Sequence, residues 1–177
     1  MKDTTVATPH KWDHSRASYG LDESYRLGMD FLAGCKEVED WGCSSAYAKR
    51  FCKTSYIGVD GTPGQADVVV DLSTYQSNPE GIFMRHVLEH NDSWRDLLAN
   101  ALKSFTKRMT LVTFTGLKDQ EEAAEHKPHK RPEWSHLHLP EAEFREILAP
   151  FLIDESSLPP APGRKWGEQI WSLEKAK

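Results

Sequence analysis

The stretch 38–60 constrains this chain more than any other part of it. A short strand ends before Gly42, and small residues then form a turn. A helix follows at about Ser45–Cys52, and a second strand at Tyr56–Val59 ends in Asp60. Small residues let backbone N–H groups approach a ligand, and an acid after the second strand can accept hydrogen bonds from both ribose hydroxyls. The stretch therefore predicts a nucleotide-type cofactor site on an α/β sheet.

Strands and helices alternate along the rest of the chain, which favours a doubly wound, mainly parallel, Rossmann-like sheet of seven strands. Only six residues separate the second strand from the third, so the usual crossover helix there is predicted to be a turn. The other predicted elements are a helix from Asp22 to Gly34, strands at Glu37–Trp41, Asp67–Leu72 and Gly81–Met84, a helix from Asp92 or Ser93 to Phe105, a strand at Met109–Thr115, a helix opened by Pro140, and strands at Phe151–Asp154 and Gln169–Leu173.

Length and composition favour one domain over residues 1–177. Within it, 1–34 would be an N-terminal helix or lid and 117–139 a loop on the substrate side. The net charge of −5 gives no overall attraction to nucleic acid or anionic membrane, and no apolar run is long enough for a membrane span. Three cysteines without C-x-x-C spacing, and a polar start, predict a reducing cytoplasm. Oligomeric state is left open.

The predicted cofactor is not NAD, because a dinucleotide fingerprint needs three glycines and only Gly42 is present, with Ser44 and Ala46 at the later positions. The run Asp40-Trp-Gly-Cys-Ser44 instead resembles the first motif of class I S-adenosylmethionine-dependent methyltransferases. That motif reads acid, any residue, Gly, any residue, Gly, so Ser44 departs from it. The alternative is a strand–helix turn that binds no ligand.

Three later features also fit this resemblance, which extends over about residues 20–175. Asp60 stands where the family has its ribose-binding acid. Asp71-Leu72 stands where the family places a carboxylate and a backbone N–H against adenine. The run His86-Val-Leu-Glu-His90 looks like a common form after strand four. The resemblance implies S-adenosylmethionine across strands one to four, bound by Asp40, Gly42, Ser44, Asp60, Gly61, Asp71, Leu72 and Arg85. Alternatively, Asp60 and Asp71 are turn or cap acids.

His86, Glu89 and His90 lie at i, i+3 and i+4, so one helical turn would place them on one face. Two imidazoles and a carboxylate can bind a divalent metal, and a similar E-x-x-E-H group holds one in small-RNA 2′-O-methyltransferases. A fourth ligand would come from His126, His129, His136 or His138. The metal-free alternative is favoured, with His86 as a general base or a pocket wall. A zinc-peptidase reading of H-x-x-E-H is rejected, because the motif follows a short strand and a nucleotide-type site.

The predicted function is methyl transfer from S-adenosylmethionine to a small molecule, at a hydroxyl or amine of a sugar, nucleotide or metabolite. His86 would remove the acceptor's proton. One alternative is methylation of nucleic acid or a carrier-bound sugar, helped by the basic stretch Lys127–Arg131. Another is a protein that keeps the fold and binds S-adenosylmethionine without catalysis. Methylation of DNA bases is disfavoured, since Asn78-Pro precedes strand four and no cysteine adjoins a proline.

Two segments are expected to close over the site. The loop 117–139 leaves the end of strand five and is rich in histidine, proline and charge, which favours a mobile lid over the acceptor. The aromatic residues Trp12, Tyr19 and Tyr25 either close over the cofactor or pack in the core.

Overall fold

The computed structural model describes residues 22–115, 117, 122–123, 137–162 and 166–176. The helices are α1 (Asp22–Leu32), α2 (Trp94–Ser104) and α3 (Glu141–Leu148). The strands are β1 (Glu37–Trp41), β2 (Ser55–Asp60), β3 (Val68–Val69), β4 (Gly81–Arg85), β5 (Arg108–Phe114), β6 (Glu122–Ala123), β7 (Leu137–His138), β8 (Leu152–Leu158) and β9 (Glu168–Glu174).

Seven strands form one sheet in the order β3-β2-β1-β4-β5-β9-β8, and β6 pairs with β7 in a separate antiparallel ladder. Strands β1 to β5 are parallel, β9 is antiparallel to β5, and β8 is antiparallel to β9. The predicted seven-stranded, mainly parallel α/β sheet is confirmed. The strand order reverses between β1 and β4, and ligands of open α/β sheets bind at such a point, outside the carboxyl ends of the strands.

The sheet is covered on both faces, because side chains alternate along each strand. On one face Ile82, Met84 and Leu111 pack with the apolar stripes of α2 and α3. On the other face Phe83 and Val112 pack with α1. The strands β1, β4, β5 and β9 thus have both faces largely buried.

Helix α1 lies very close to the sheet at Gly28. A Cβ at this position would stand 2.5 Å from Phe83 Cε2 and 2.9 Å from Thr110 Cγ2. A glycine in a helix interior costs about 1 kcal/mol relative to alanine. Here it is what allows α1 to pack on β4 and β5, and so fixes the start of α1 near the carboxyl ends of the strands.

Three predicted boundaries are wrong in detail. Strand three is only Val68–Val69, because the side chain of Asp67 accepts a hydrogen bond from Gly58 N at 2.8 Å and ends the ladder there. The helix expected at Ser45–Cys52 is a short 3₁₀ turn, Tyr47–Arg50. Strand β8 extends four residues past the predicted end, to Leu158, because it pairs along β9. The crossover after β2 has no helix, as predicted.

Candidate functional site

The turn after β1 has a backbone that suits small residues. Gly42 has φ of +80°, and a Cβ there would lie 2.4 Å from Val87 Cγ2, so only glycine fits. Ser44 and Ala46 also have positive φ, at 48° and 54°. The left-handed region is unfavourable for residues with a side chain. The position where the resembled motif has its second glycine therefore keeps a glycine-like conformation with a serine.

The N–H groups of this turn donate within the protein. Gly42 N and Cys43 N both donate to Val59 O, at 2.7 and 3.2 Å. Ser44 N donates to Asp60 Oδ2 at 2.9 Å. The prediction that these donors face a ligand is therefore wrong for three of them. What the small residues provide is room for backbone and ligand to approach each other.

Asp60 lies at the end of β2, as predicted, and is buried. Besides the bond from Ser44 N to Oδ2, its Oδ1 accepts hydrogen bonds from Thr62 N and Thr62 Oγ1, both at 2.9 Å. An ionised carboxylate has about four lone-pair sites. Three are used by the chain itself, so about one is left for a ribose hydroxyl.

Asp71 follows β3 and is exposed at the sheet's carboxyl edge. Its Oδ1 accepts hydrogen bonds from Ser73 N at 2.9 Å and Ser73 Oγ at 2.7 Å. Leu72 is buried beside it, and its carbonyl accepts a bond from Asn100 Nδ2 at 3.4 Å. A Cβ at Gly61 would make an ordinary van der Waals contact, 3.7 Å from Val70 O. The adenine end of the predicted site is thus open to solvent and acidic.

Asp40, the acid of the first motif, is buried and accepts a hydrogen bond from Tyr56 Oη at 2.6 Å. Burial raises the pKa of Asp40 to about 7, with the charge of Asp60 adding to the rise and the bond from Tyr56 opposing it. The structure therefore places Asp40 beneath the turn, where it supports the second strand.

Arg85 ends β4 inside a buried cluster. Its guanidinium forms an ion pair with Glu168, donates to Ser24 Oγ at 3.1 Å and to Tyr25 Oη at 3.0 Å, and lies over the Tyr25 ring. The side chains of Arg85 and Glu168 are 6% and 7% exposed, so the ion pair is almost completely shielded from solvent. Its visible role is to hold α1 and β9 to β4. Tyr25 lies in the core, which was one of the two predicted alternatives for this residue.

His86 follows β4 in a left-handed conformation, with φ of 54°. Its Nε2 lies 2.8 Å from Glu168 Oε1, and its Nδ1 lies 3.3 Å from Glu89 Oε1. The ring is stacked on Phe114, with centroids 3.7 Å apart. A general base needs a ring nitrogen directed at the acceptor. Both nitrogens here face carboxylates, so neither is directed at an acceptor, and the ring supports Phe114 by stacking on it.

Glu89 is buried, with 3% of its surface exposed, and its Oε1 accepts a hydrogen bond from Phe114 N at 2.7 Å. Its Oε2 is buried and has no hydrogen-bond partner among the described residues. Burial alone raises the pKa of Glu89, but the hydrogen bond from His86 and the charges of His86 and His90 lower it below its usual value. The carboxylate is therefore ionised at neutral pH with one bare oxygen.

A metal triad of His86, Glu89 and His90 does not form. Among the residues the structure describes, no group of three His, Cys, Asp or Glu side chains could hold an ion. The reason is that the chain turns through a left-handed residue into a 3₁₀ turn, Leu88–His90, and not through the α-helical turn that makes i, i+3 and i+4 converge. His126, His129 and His136 lie outside the described residues.

A small pocket lies at the end of β5, next to this cluster. It is lined by Glu89, Phe114, Thr115, Leu117, Leu137, His138, Leu139 and Trp166. The rings of Phe114 and His138 lie 6.2 and 6.3 Å from that of Trp166, tilted and edge-on. The pocket is thus mainly apolar and aromatic, with one carboxylate. Most of the predicted lid 117–139 lies outside the described residues, as do Trp12 and Tyr19.

Solved structures with this architecture are methyltransferases. The N1-methyltransferase of 1,6-didemethyltoxoflavin from Burkholderia thailandensis, with bound S-adenosylhomocysteine, aligns with a TM-score of 0.64 at 16% identity, over 88% of this chain and 77% of its own. The chain has the class I methyltransferase fold. The N-terminal domain of EvdMO1, solved with S-adenosylhomocysteine and D-fucose, gives 0.61 at 14% identity over 90% and 85%.

The N-methyltransferase NodS from Bradyrhizobium japonicum WM9, solved with S-adenosylhomocysteine, gives a TM-score of 0.59 at 11% identity over 88% of this chain and 85% of its own. No protein-family model matches the sequence, and no curated protein matches it. No helix in the described ranges is long and apolar enough to cross a bilayer.

On this fold, the structure brings Gly42, Ser44 and Asp60 together at one turn, whereas Asp40 and Arg85 are buried in contacts with other protein groups. Sequence reasoning missed Glu168, Thr62 and Trp166. The signal for Glu168 was weak, since β9 also carries Gln169, Ser172 and a second acid, Glu174.

Proposed function

We propose that the chain transfers a methyl group from S-adenosylmethionine to a hydroxyl or amine of a small molecule. The observation that carries the proposal is the acidic carboxyl edge of β2 and β3 on this fold, where Asp60 bonds to the turn that contains Gly42 and Asp71 lies exposed after the next strand. Support also comes from the solved structures of the same fold, three of which hold S-adenosylhomocysteine.

The residues present fit this donor at its adenosine end. Asp71 would face the adenine, Asp60 would accept from one ribose hydroxyl, and the turn at Gly42 would lie against the methionine part. Bound S-adenosylmethionine supplies an electrophilic methyl group on a sulfonium. The chain's own part is to align donor and acceptor and to exclude water, since the in-line displacement gains chiefly from orientation.

A small-molecule acceptor is favoured because the pocket at the end of β5 is small and adjoins the strand ends. The related structures act on, or were solved with, a toxoflavin precursor and D-fucose, both small molecules. The basic stretch Lys127–Arg131, which would favour nucleic acid, lies outside the described residues.

The second candidate is a protein of this fold that binds S-adenosylmethionine without catalysis. It is favoured by two departures from the resembled family, since Ser44 stands at the second glycine of the first motif and no helix lies between β2 and β3.

Calorimetric titration with S-adenosylmethionine and S-adenosylhomocysteine, followed by a screen for release of labelled methyl onto metabolites, tests both candidates. Binding of neither ligand would refute the two together, and binding without transfer would favour the second. Asp71→Ala should weaken both ligands equally, by about 5- to 10-fold, because the adenine contact does not involve the methyl group. The exposed Asp154→Ala on β8 is the matched control and should change neither affinity.

A further inference from the structure

His86 lies between two buried carboxylates. Its Nε2 is 2.8 Å from Glu168 Oε1, and its Nδ1 is 3.3 Å from Glu89 Oε1. The three side chains are at most 7% exposed, so solvent contributes little to their hydrogen bonding. A neutral imidazole has one N–H group, whereas an imidazolium has two. Only the charged form of His86 can therefore donate to both neighbours at once.

The two carboxylates do not supply the second proton themselves. Burial raises the pKa of Glu89 and of Glu168, but the hydrogen bond that each accepts from His86, together with nearby positive charge, lowers both pKa values below the usual range. An ionised carboxylate can only accept hydrogen bonds. A neutral imidazole would therefore direct a lone pair at one of two negatively charged oxygens, which is repulsive.

The charges of the cluster balance when His86 is an imidazolium. Arg85 forms an ion pair with Glu168, so Arg85 and His86 then carry two positive charges against the two negative charges of Glu89 and Glu168. An uncompensated buried charge is far more costly than a balanced set. The Oε2 atom of each carboxylate is buried without a hydrogen-bond partner among the described residues. Loss of one His86 N–H would therefore leave the cluster with still fewer donors.

Three further titratable side chains lie near this cluster. Tyr25 on α1 accepts a hydrogen bond from Arg85, and burial raises its pKa to about 12, so it carries no charge. His90 is on the same turn as Glu89 and acts on that carboxylate through its charge, and His138 on β7 lines the same pocket as Glu89. Among the described residues, the ionised groups in hydrogen-bond contact with the imidazole are thus the two carboxylates.

The position of His86 joins several elements. Its ring is stacked on Phe114, with centroids 3.7 Å apart and an angle of 15°, and an aromatic face attracts a cation. Its backbone N–H donates to Val112 O at 2.9 Å. Its φ of 54° is unfavourable for a residue with a Cβ, so the side-chain contacts must stabilise this conformation. The imidazole thus connects the carboxyl ends of β4 and β5 to the start of β9.

We propose that His86 is an imidazolium that carries both ring protons and acts as a positioning residue, holding the carboxyl ends of β4 and β5 and the start of β9 together around Phe114. The consequence for methyl transfer rests on the proposed function. His86 has no free lone pair with which to take the acceptor's proton, so that proton would pass to water or to another group.

Nuclear magnetic resonance of the chain labelled with ¹⁵N at histidine tests the charge directly. The His86 ring is assigned by its through-space contacts with the Phe114 ring. At neutral pH its two ring nitrogens should both be protonated and have similar ¹⁵N shifts, as in an imidazolium. One protonated and one bare nitrogen, with two well-separated shifts, would overturn the proposal.

A double-mutant cycle tests the charge balance. His86→Gln removes one positive charge from the cluster, so Tm should fall by about 10 °C. Glu89→Gln alone leaves a surplus positive charge and should cost about as much. The double variant restores the balance and keeps an amide oxygen for Phe114 N, so it should recover at least half of the summed loss.

The matched control is Lys53→Gln. It also removes one positive charge, but from an exposed pair with Asp30, and should lower Tm by less than about 2 °C. Strictly additive losses in the double variant, or a loss in His86→Gln no larger than in Lys53→Gln, would overturn the proposal. If the single variants fail to fold, the resonance measurement on the natural chain decides.

Failure of this proposal is distinguishable from failure of the proposed function, because the resonance measurement needs no ligand. If S-adenosylhomocysteine binds and the His86 ring has one bare nitrogen, the positioning role of the imidazolium is wrong and methyl transfer stands. If both ring nitrogens are protonated and no S-adenosylhomocysteine binds, the charged positioning residue stands and methyl transfer is wrong.

Discussion

Two carboxylates at the same edge of the sheet differ in how many hydrogen bonds they accept from the chain itself. Asp60, after β2, accepts three hydrogen bonds from neighbouring residues and uses both oxygens. Glu89, after β4, has two contacts on one oxygen and none from described residues on the other. The chain thus supplies nearly all the hydrogen bonds that Asp60 can accept, whereas one buried oxygen of Glu89 has no partner among the described residues.

This difference has an energetic reason. A satisfied carboxylate such as Asp60 orders the turn that it bonds to, and a ligand there competes with Thr62 for lone pairs. A carboxylate with a bare oxygen lowers stability until a donor arrives. The β2 side therefore has a carboxylate whose hydrogen bonds the chain itself supplies, and the β4 side has one with an oxygen left without a partner among the described residues. The following experiments test that contrast from the largest expected effect to the smallest.

Arg85→Met tests whether the β4 side depends on a balanced set of buried charges. The change leaves Glu168 buried without its cation, so the free energy of unfolding should fall by about 3–5 kcal/mol in chemical denaturation. Arg95→Met is the control, because its pair with Glu143 is largely exposed and should contribute less than about 1 kcal/mol. Equal small losses in both variants would show that the cluster has no special role.

Asp40→Asn tests whether the β1–β2 side holds a proton and not a charge. The pKa of Asp40 is raised by burial from 3.8 to about 7, so the folded chain keeps a proton that the unfolded chain loses between these values. The stabilisation is full below about pH 4 and is lost as pH rises through 7. The variant cannot ionise, so at pH 8 it should be more stable than the natural chain by up to about 4 kcal/mol.

Plotted against pH, the free energies of unfolding of the natural chain and of Asp40→Asn should meet near pH 4, where Asp40 is protonated in both the folded and the unfolded chain. Denaturation at several pH values gives the difference between natural chain and variant, which removes the contributions of the other acids. A constant difference between the two free energies of unfolding from pH 4 to 8 would contradict the prediction that folded Asp40 keeps its proton up to about pH 7.

Asp60→Ala tests the ribose contact. It should weaken S-adenosylhomocysteine binding by about 1.5–3 kcal/mol, measured by calorimetry, because a charge-assisted acceptor is lost. Thr62→Val separates this from an effect on the turn, since it frees a lone pair on Asp60 and should leave the affinity equal or tighter. If Thr62→Val weakens binding as much as Asp60→Ala, the carboxylate acts only by ordering the turn.

Ser44→Gly has the smallest expected effect. Ser44 has φ of 48°, which disfavours a residue with a Cβ, and glycine relieves this at the cost of a more flexible unfolded chain. The net gain should be about 0.5 kcal/mol in denaturation. Ala48→Gly in the adjoining 3₁₀ turn should instead destabilise, because Ala48 is buried and loses a packed methyl group. Destabilisation by both would mean that the serine side chain is needed at the turn.

The sequence predicts the sheet well because its signals are local. Apolar strands, the glycine at Gly42 and the stripe of α2 each specify an element within a few residues, and the missing helix before β3 follows from chain length alone. The 3₁₀ turn at Tyr47–Arg50 was missed because two left-handed residues, Ser44 and Ala46, use the length that an α-helix would need.

The β4 side of the site could not be predicted in the same way. Glu168 is 82 residues from His86 in the sequence, yet its Oε1 lies 2.8 Å from the imidazole and also receives Arg85. The spacing within H-V-L-E-H identified His86 and Glu89 as site candidates but could not identify their hydrogen-bond partners. Those partners are Glu168 on β9 and the backbone N–H of Phe114 on β5. Roles that depend on such long-range pairs, as at His86 and Arg85, are fixed only by the packed fold.

The short ladder between β6 and β7 has a consequence for how this protein can change. Glu122 pairs with His138 and Ala123 with Leu137, so backbone pairing joins the two ends of residues 124–136. Insertions, deletions or exchanges within residues 124–136 should leave the register of the seven-stranded sheet unchanged, because the β6–β7 pairing holds the two ends of this span together whatever its length. The length of residues 124–136 and the register of the seven-stranded sheet can therefore be varied independently of each other.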